Sequence, residues 1–366
     1  MSNQLLYQIG LSLIPGIGDV NGKKLVAYCG GPEAVFHEKK TILAQIPGIG
    51  EQTINNIVNQ HVLSRAEEEI TFMEKNGVKA LFYLDQAYPK RLQHCSDSPM
   101  MLYYKGVTNL NADHVIGIVG TRNATDYGKY LTNKIIEELS SDKILVVSGL
   151  AYGIETLAHR ASLKYGLDTV AVLGHGLQTI YPAENIKLAH NMIEHGGLLT
   201  ENISGTQPDR ENFPKRNRIV AGMVDCLIVI ESAMKGGALI TADIANSYDR
   251  EVFAFPGRIG DIYSEGCNYL IRINKANLLE KAANIRYVMR WDVKTKVVAK
   301  QMRMFRDFTP EEQQIIDVFG QENVIHIDQV ITRTNMSLPK IASILLSLEF
   351  DGVLIALPGK RYQKVC

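Results

Sequence analysis

The chain has 366 residues, with 39 Lys+Arg against 39 Asp+Glu, 46% apolar and 21% charged side chains. This balance excludes a generally basic nucleic-acid coat, which needs many cations to displace condensed counterions. It also excludes a disordered or collagen-like chain, and at roughly 150 residues per domain the length suggests two or three domains.

No run approaches the roughly 18 to 20 apolar residues that span a bilayer, and the opening MSNQLLYQIGLSLIPGIG lacks a basic leader region. A cytoplasmic protein with no membrane partner is expected. Cys29, Cys95, Cys226, Cys267 and Cys366 are scattered, with no C-x-x-C pair and no His at metal spacing. They read as reduced thiols, with no metal site and no cofactor implied.

Residues 1–78 read as a helical domain carrying two similar phrases, LIPGIG (13–18) and QIPGIG (45–50). Each sets Pro and two Gly between apolar-periodic stretches, the chemistry of a tight turn between helices. Such hairpins can offer backbone N–H groups to phosphates. Six Lys/Arg against eight Asp/Glu in this segment oppose a polyanion, so the structural reading is favoured.

Residues 79–285 form the second domain. Six apolar runs, HVIGIVG (114–120), KILVVSG (143–149), DTVAVLG (168–174), GLLTE (197–201), DCLIVIE (225–231) and EVFAFPG (251–257), alternate with amphipathic stretches. Continuously apolar strands separated by helix-length inserts predict an α/β fold, a Rossmann-like doubly wound, mostly parallel sheet covered on both faces. Residues 286–306 carry seven basic residues and one acid and read as a linker. Residues 307–366 predict three helices, the first capped by Thr309 and Pro310, then two strands around Pro358-Gly359: a winged helix. Its third helix offers one outward cation, Lys340. That favours a protein-contact or regulatory module over a base-reading helix, which needs several polar side chains.

Candidate ligand-binding residues gather where strands end, the place where open α/β sheets bind ligands. VGTRNATDYG supplies Gly120, for close backbone approach, and the guanidinium of Arg122 at the start of a helix near Tyr127. NFPKRNRIVAG (212–222) is the strongest candidate: Lys215, Arg216 and Arg218 crowd beside Phe213, cations for phosphates and a ring for a base, as single strands require. ESAMKGGALITADIA adds Lys235, Gly236, Gly237 and Thr241 at another helix start. There is no G-x-G-x-x-G after the first strand and no G-x-x-x-x-G-K-[ST] anywhere, which disfavours dinucleotide and Walker-type binding. Glu155, Glu201, Glu231, His159 and His175 are dispersed and read as structural groups, and no enzyme is defensible from these residues.

The ordered set VGTRNATDYG, SGLAYGIETLAH, TVAVLGHGLQTIYPAEN, NFPKRNRIVAG, GGALITADIA and VFAFPG with EGCNYLI resembles the DNA processing protein A (DprA/Smf) family over about residues 79–280. The resemblance implies a non-catalytic homodimer that binds single-stranded DNA, protects it and loads RecA in natural transformation. By motif it implies DNA contacts at Gly120, Arg122, Phe213, Lys215, Arg216, Asn217, Arg218, Gly236, Gly237 and Thr241. Two departures stand out: Thr121 replaces the family's usual Ser in the G-T-R phrase, and Lys235-Gly236 replaces a Ser before the Gly-rich turn, adding one cation. The competing expectation is a nucleotide-processing phosphoribohydrolase of the lysine-decarboxylase-like Rossmann group. That group relies on a P-G-G-x-G-T-x-x-E phrase, and MKGGALITADI has no Glu at that spacing.

Overall fold

The computed structural model describes residues 3–291, 308–320, 322–334 and 336–365. Residues 292–306 of the expected 286–306 linker, and Cys366, therefore lie outside the described residues, while 286–289 are not linker but the end of the last core helix, with Arg290 as its C-cap.

The N-terminal segment is six helices: α1 (Asn3–Leu13), α2 (Asp19–Cys29), α3 (Pro32–His37), α4 (Lys40–Leu43), α5 (Glu51–Val58) and α6 (Leu63–Asn76). The two PGIG phrases adopt the same turn. Gly16 and Gly48 take φ of 81° and 83°, the left-handed region that disfavours any Cβ. Ile14, Ile17, Ile46 and Ile49 on either side of these glycines are buried in one apolar cluster with Leu25, Ile57 and Ile70. The turns thus bury the apolar residues that flank them between helices.

The central sheet has nine strands: β1 (Lys79–Phe82), β2 (Met101–Gly106), β3 (Val115–Val119), β4 (Leu145–Ser148), β5 (Thr169–Leu173), β6 (Gly196–Thr200), β7 (Cys226–Val229), β8 (Glu251–Ala254) and β9 (Asn277–Leu278). Their spatial order is β1-β2-β6-β5-β4-β3-β7-β8-β9. From β6 to β9 every pairing is parallel, and β2 joins β6 antiparallel, with β1 antiparallel beyond it. All six runs read from the sequence are strands. The antiparallel β1–β2 extension was not anticipated; Phe82, Met101 and Tyr103 point from it into the N-terminal helical cluster.

The helices of this region are α7 (Lys90–Gln93), α8 (Asp126–Leu139), α9 (Ile154–Lys164), α10 (Ile186–Glu194), α11 (Asn212–Met223), α12 (Gly237–Ser247), α13 (Glu265–Arg272) and α14 (Ala282–Met289). Strand residues alternate between two cores. Val115, Val119, Leu227 and Val229 face one cluster with α11 and α12. Ile116, Ile118, Cys226 and Ile228 face the other with α8, α9 and α14. The strands must therefore be apolar on both sides, which is the pattern the sequence displayed. The order reverses between β3 and β7, and their following helices lie on opposite faces, so a crevice opens at the strands' C-terminal ends.

The C-terminal segment is α15 (Pro310–Phe319), β10 (Val324–His326), α16 (Ile327–Thr334), α17 (Leu338–Phe350), β11 (Leu354–Leu357) and β12 (Arg361–Lys364). Thr309 caps α15 through a capping box with Glu312. The sheet order β10-β12-β11 adds one strand to the expected hairpin, completing a winged helix around Phe319, Ile341 and Leu345.

Candidate nucleic-acid interface

The crevice is walled by helix starts. After β3 the chain turns through Thr121 and Arg122 into α8, whose N-cap Thr125 accepts a hydrogen bond from the Gly128 amide at 3.1 Å. Glu231, at the end of β7, seals this turn: its carboxylate accepts the Thr125 amide at 3.0 Å and the Thr125 hydroxyl. A Cβ on Gly128 would strike that carboxylate. Glu231 is buried and already committed to fixing α8.

Because α11 runs from the end of β6 back to the start of β7, its first turn, Asn212 to Lys215, lies at the C-terminal edge of the sheet. There Phe213 meets two partners. The Arg122 guanidinium lies over its ring, 5.9 Å from the centroid, and the Tyr181 ring sits at 5.9 Å with 34° between planes. Arg122, Tyr152, Gly174, Tyr181, Phe213 and Arg216 are among the residues lining a cleft of ≈ 80 Å³ at this point. Arg122 and Lys215 are exposed and Phe213 is half-buried. The arrangement offers an exposed cation, Arg122, and a stackable aromatic wall at one mouth, with Lys215 exposed on the same first turn of α11; cations for phosphates and rings for bases are the combination that holds a single strand.

The structure redistributes the residues expected to act together. Arg216 does not join Lys215 at the surface. It is 4% exposed, donates to the carbonyl oxygen of Val172 and sits 3.6 Å from the Glu155 carboxylate. The α-helical register explains this: Lys215 and Arg216 are 100° apart around α11, so one faces solvent and the other the sheet. Arg218 is likewise diverted. It donates to the Asp97 carbonyl at 2.7 Å and to Asp19 at 3.2 Å, and it pairs with Glu201, tying the helical segment to the core. Burial, with Asp19 nearby, pushes the Glu201 carboxyl up to about 7 against the pull of Arg218. Asn217 is half-buried.

Gly120 also has a different reason to be glycine. A Cβ there would come within 2.6 Å of Ile154 Cγ1, so close packing of α9 excludes a side chain, with no ligand required. Thr241 is buried, and its hydroxyl donates to the Gly237 carbonyl at 3.2 Å; it stabilises α12 from inside. Lys235 and Gly237 remain at the surface, and a Cβ on Gly237 would meet nothing within 4 Å. Gly236 is tighter, since a Cβ there would come within 2.6 Å of the Ser232 hydroxyl. The open amide end of α12 thus remains available to an anion.

Tyr152, Tyr181 and His175 were not singled out from the sequence as ligand-binding residues. Tyr181 stands in the phrase LQTIYPAEN, and its only local signal is an aromatic before Pro in a loop after a strand. His159, read as structural, is fully buried between the Thr169 hydroxyl and the Gly149 carbonyl. Burial lowers its pKa to about 4.

Comparison with known proteins agrees with this layout. The family described as DNA recombination-mediator protein A matches residues 79–290, and the DprA winged helix domain matches residues 306–360. The Smf protein of Synechocystis sp. is 30% identical over 99% of both chains, and the DNA processing protein DprA of Bacillus subtilis is 41% identical over 54% of this chain and 67% of its own. The crystal structure of DNA processing protein A from Streptococcus pneumoniae superposes with a TM-score of 0.67 at 31% identity, covering 77% of this chain and 97% of that one. A structure of the Helicobacter pylori protein, described for its single-stranded DNA binding mode, aligns with a TM-score of 0.53 at 28% identity over 59% and 96% of the chains. With the doubly wound core and the winged helix matched in order, the chain belongs to the DprA/Smf family of DNA recombination mediators.

Proposed function

We propose that this chain binds single-stranded DNA in the cleft at the C-terminal edge of its sheet, and that it protects incoming DNA and delivers it to RecA during natural transformation. The observation that carries the reading is the Arg122 guanidinium stacked over Phe213 beside Tyr181. Lys215, in the first turn of α11, and Lys235, just before α12, are exposed cations, and the amides that open α12 at Gly237 offer a further anion site. The single-stranded DNA binding described for the Helicobacter pylori relative supports the same assignment. In this reading the protein acts without catalysis, in the cytoplasm and as a homodimer, as the family resemblance implies.

Arg216 and Arg218 act in this account as positioning residues, and Gly120 and Thr241 shape the loops that present the contacts. The phosphoribohydrolase alternative needs an acid free for chemistry at the helix after β7. The acid of that helix is Asp243, at the surface and paired with Lys275 at 2.7 Å, and Glu231, just before the helix, is used to cap α8. Fluorescence anisotropy with a labelled oligothymidine tests the assignment: Arg122→Ala combined with Lys215→Ala abolishes binding while the fold survives. Unchanged affinity in that double variant overturns it. Sedimentation and a RecA filament-assembly assay test the homodimer and the loading role.

A further inference from the structure

The wing of the winged helix is not free. Its hairpin turn, Pro358-Gly359-Lys360, brings Arg361 to 3.2 Å from Asp225, the residue immediately before β7. Asp225 is buried and is also held by Arg91, with both nitrogens at 2.8 Å, and by the Val115 amide at 2.9 Å. Burial works against its charge, but Arg91 and Arg361 hold its carboxyl below the usual range. Two further contacts join the same surfaces: Lys360 to Asp249 at 2.6 Å, and Arg290 to the Ala356 carbonyl at 2.7 Å. Asp225 and Asp249 stand before the N-terminal ends of β7 and β8, so the wing docks on the edge opposite the cleft.

A histidine pair lies across this junction. His94, just after α7, stacks on His326 of β10 with centroids 4.2 Å apart and 15° between planes. The groups facing the pair are few. Asp328 lies 4.0 Å from His94 and 3.3 Å from His326, and Arg250 and Arg361 add positive charge from the core and the wing. Two imidazolium rings stacked face to face beside two arginines repel, and one carboxylate offsets only part of that charge.

We propose that the winged helix is latched onto the core by its own wing, in a docked state that requires the stacked His94 and His326 to be uncharged and that opens on acidification. While the latch is closed, Lys360 and Arg361 are neutralised by core carboxylates and the wing is withheld from phosphates. Burial lowers the pKa of both imidazoles, His326 to about 4. A released imidazole titrates near 6.5. Depressed values in the docked state mean that docking is fully favoured above the released value. It weakens as pH falls from there toward the docked one, by up to roughly tenfold per pH unit for each ring.

Small-angle scattering of the full chain from about pH 8 to about pH 5, with circular dichroism to confirm folding, tests the latch. The radius of gyration rises as pH falls below the released imidazole value, and His94→Gln with His326→Gln keeps the chain compact at the acid end. Arg361→Glu expands the chain already at the alkaline end. Lys360→Asp loosens docking, and adding Asp249→Lys restores it, a readout that survives even if Arg361→Glu unfolds the hairpin. A radius that is constant across pH and unchanged by Lys360→Asp overturns the proposal.

Discussion

Arg216 reaches across from α11 to the carbonyl of Val172 in β5, so the most conspicuous basic phrase in the chain spends one of its cations inside the protein. Gly149 makes this possible: a Cβ at Gly149 would land on the guanidinium. The pair Arg216–Glu155 then fixes the first turn of α9 against the floor of the cleft, and the carboxylate of Glu155 also accepts the Ala151 amide at 3.0 Å.

The first prediction separates structure from contact at that position. Arg216→Ala strands Glu155 and the Val172 carbonyl in the interior and lowers unfolding free energy by about 3 kcal/mol or more. Urea denaturation measures it. A variant of unchanged stability that has lost DNA binding assigns Arg216 to the DNA instead.

Phe213→Ala removes the ring that Arg122 and Tyr181 flank. Affinity for oligothymidine falls by about 1–3 kcal/mol if a base stacks there, and Phe213→Tyr retains most of it. Equal affinity in wild type and Phe213→Ala leaves phosphate contact alone.

The glycines give opposite outcomes. Gly120→Ala must push against Ile154, so it loses stability by about 1–3 kcal/mol, the usual effect of overpacking. Gly237→Ala meets no atom within 4 Å and keeps its melting temperature, while its added methyl group crowds an anion at the α12 amides. Thermal melts and anisotropy on both variants distinguish the two roles.

Arg218→Ala releases Asp19 and Glu201 together and loosens the helical segment from the sheet. Faster proteolysis between α6 and β2 is expected, with oligothymidine affinity changed by less than about twofold, the range of ordinary surface substitutions. A large loss of affinity with unchanged proteolysis returns Arg218 to the DNA surface.

The parallel core was legible because its strands are buried on both faces and therefore written as unbroken apolar runs. β1 and β2 escaped because KALF and MLYYKG are short and carry Lys79 and Lys105 at their ends, so neither reads as an unbroken apolar run. Tyr104 packs with the sheet while Tyr103 packs with the helices, and neither pattern stands out locally. The loops of the site were legible through Gly, Arg and Phe at strand ends. Which cations face solvent was not, since that depends on the rotation of α11 against a sheet edge assembled from distant strands. Lys215 and Arg216 are neighbours in sequence and opposites in environment. The docking of the wing was equally hidden: Asp225 and Arg361 lie at the two ends of a long sequence separation, and nothing local marks either as a partner.

The zero net charge now has a spatial meaning. With Arg216 and Arg218 engaged internally, Arg122, Lys215 and Lys235 remain as exposed cations among the proposed contacts. Binding to oligothymidine measured across a salt titration tests this most directly. About three neutralised phosphates at about −0.7 each predict a slope of log K against log salt of roughly −2, with single strands preferred over duplex. A slope near zero, or equal affinity for duplex and single strand, contradicts the account.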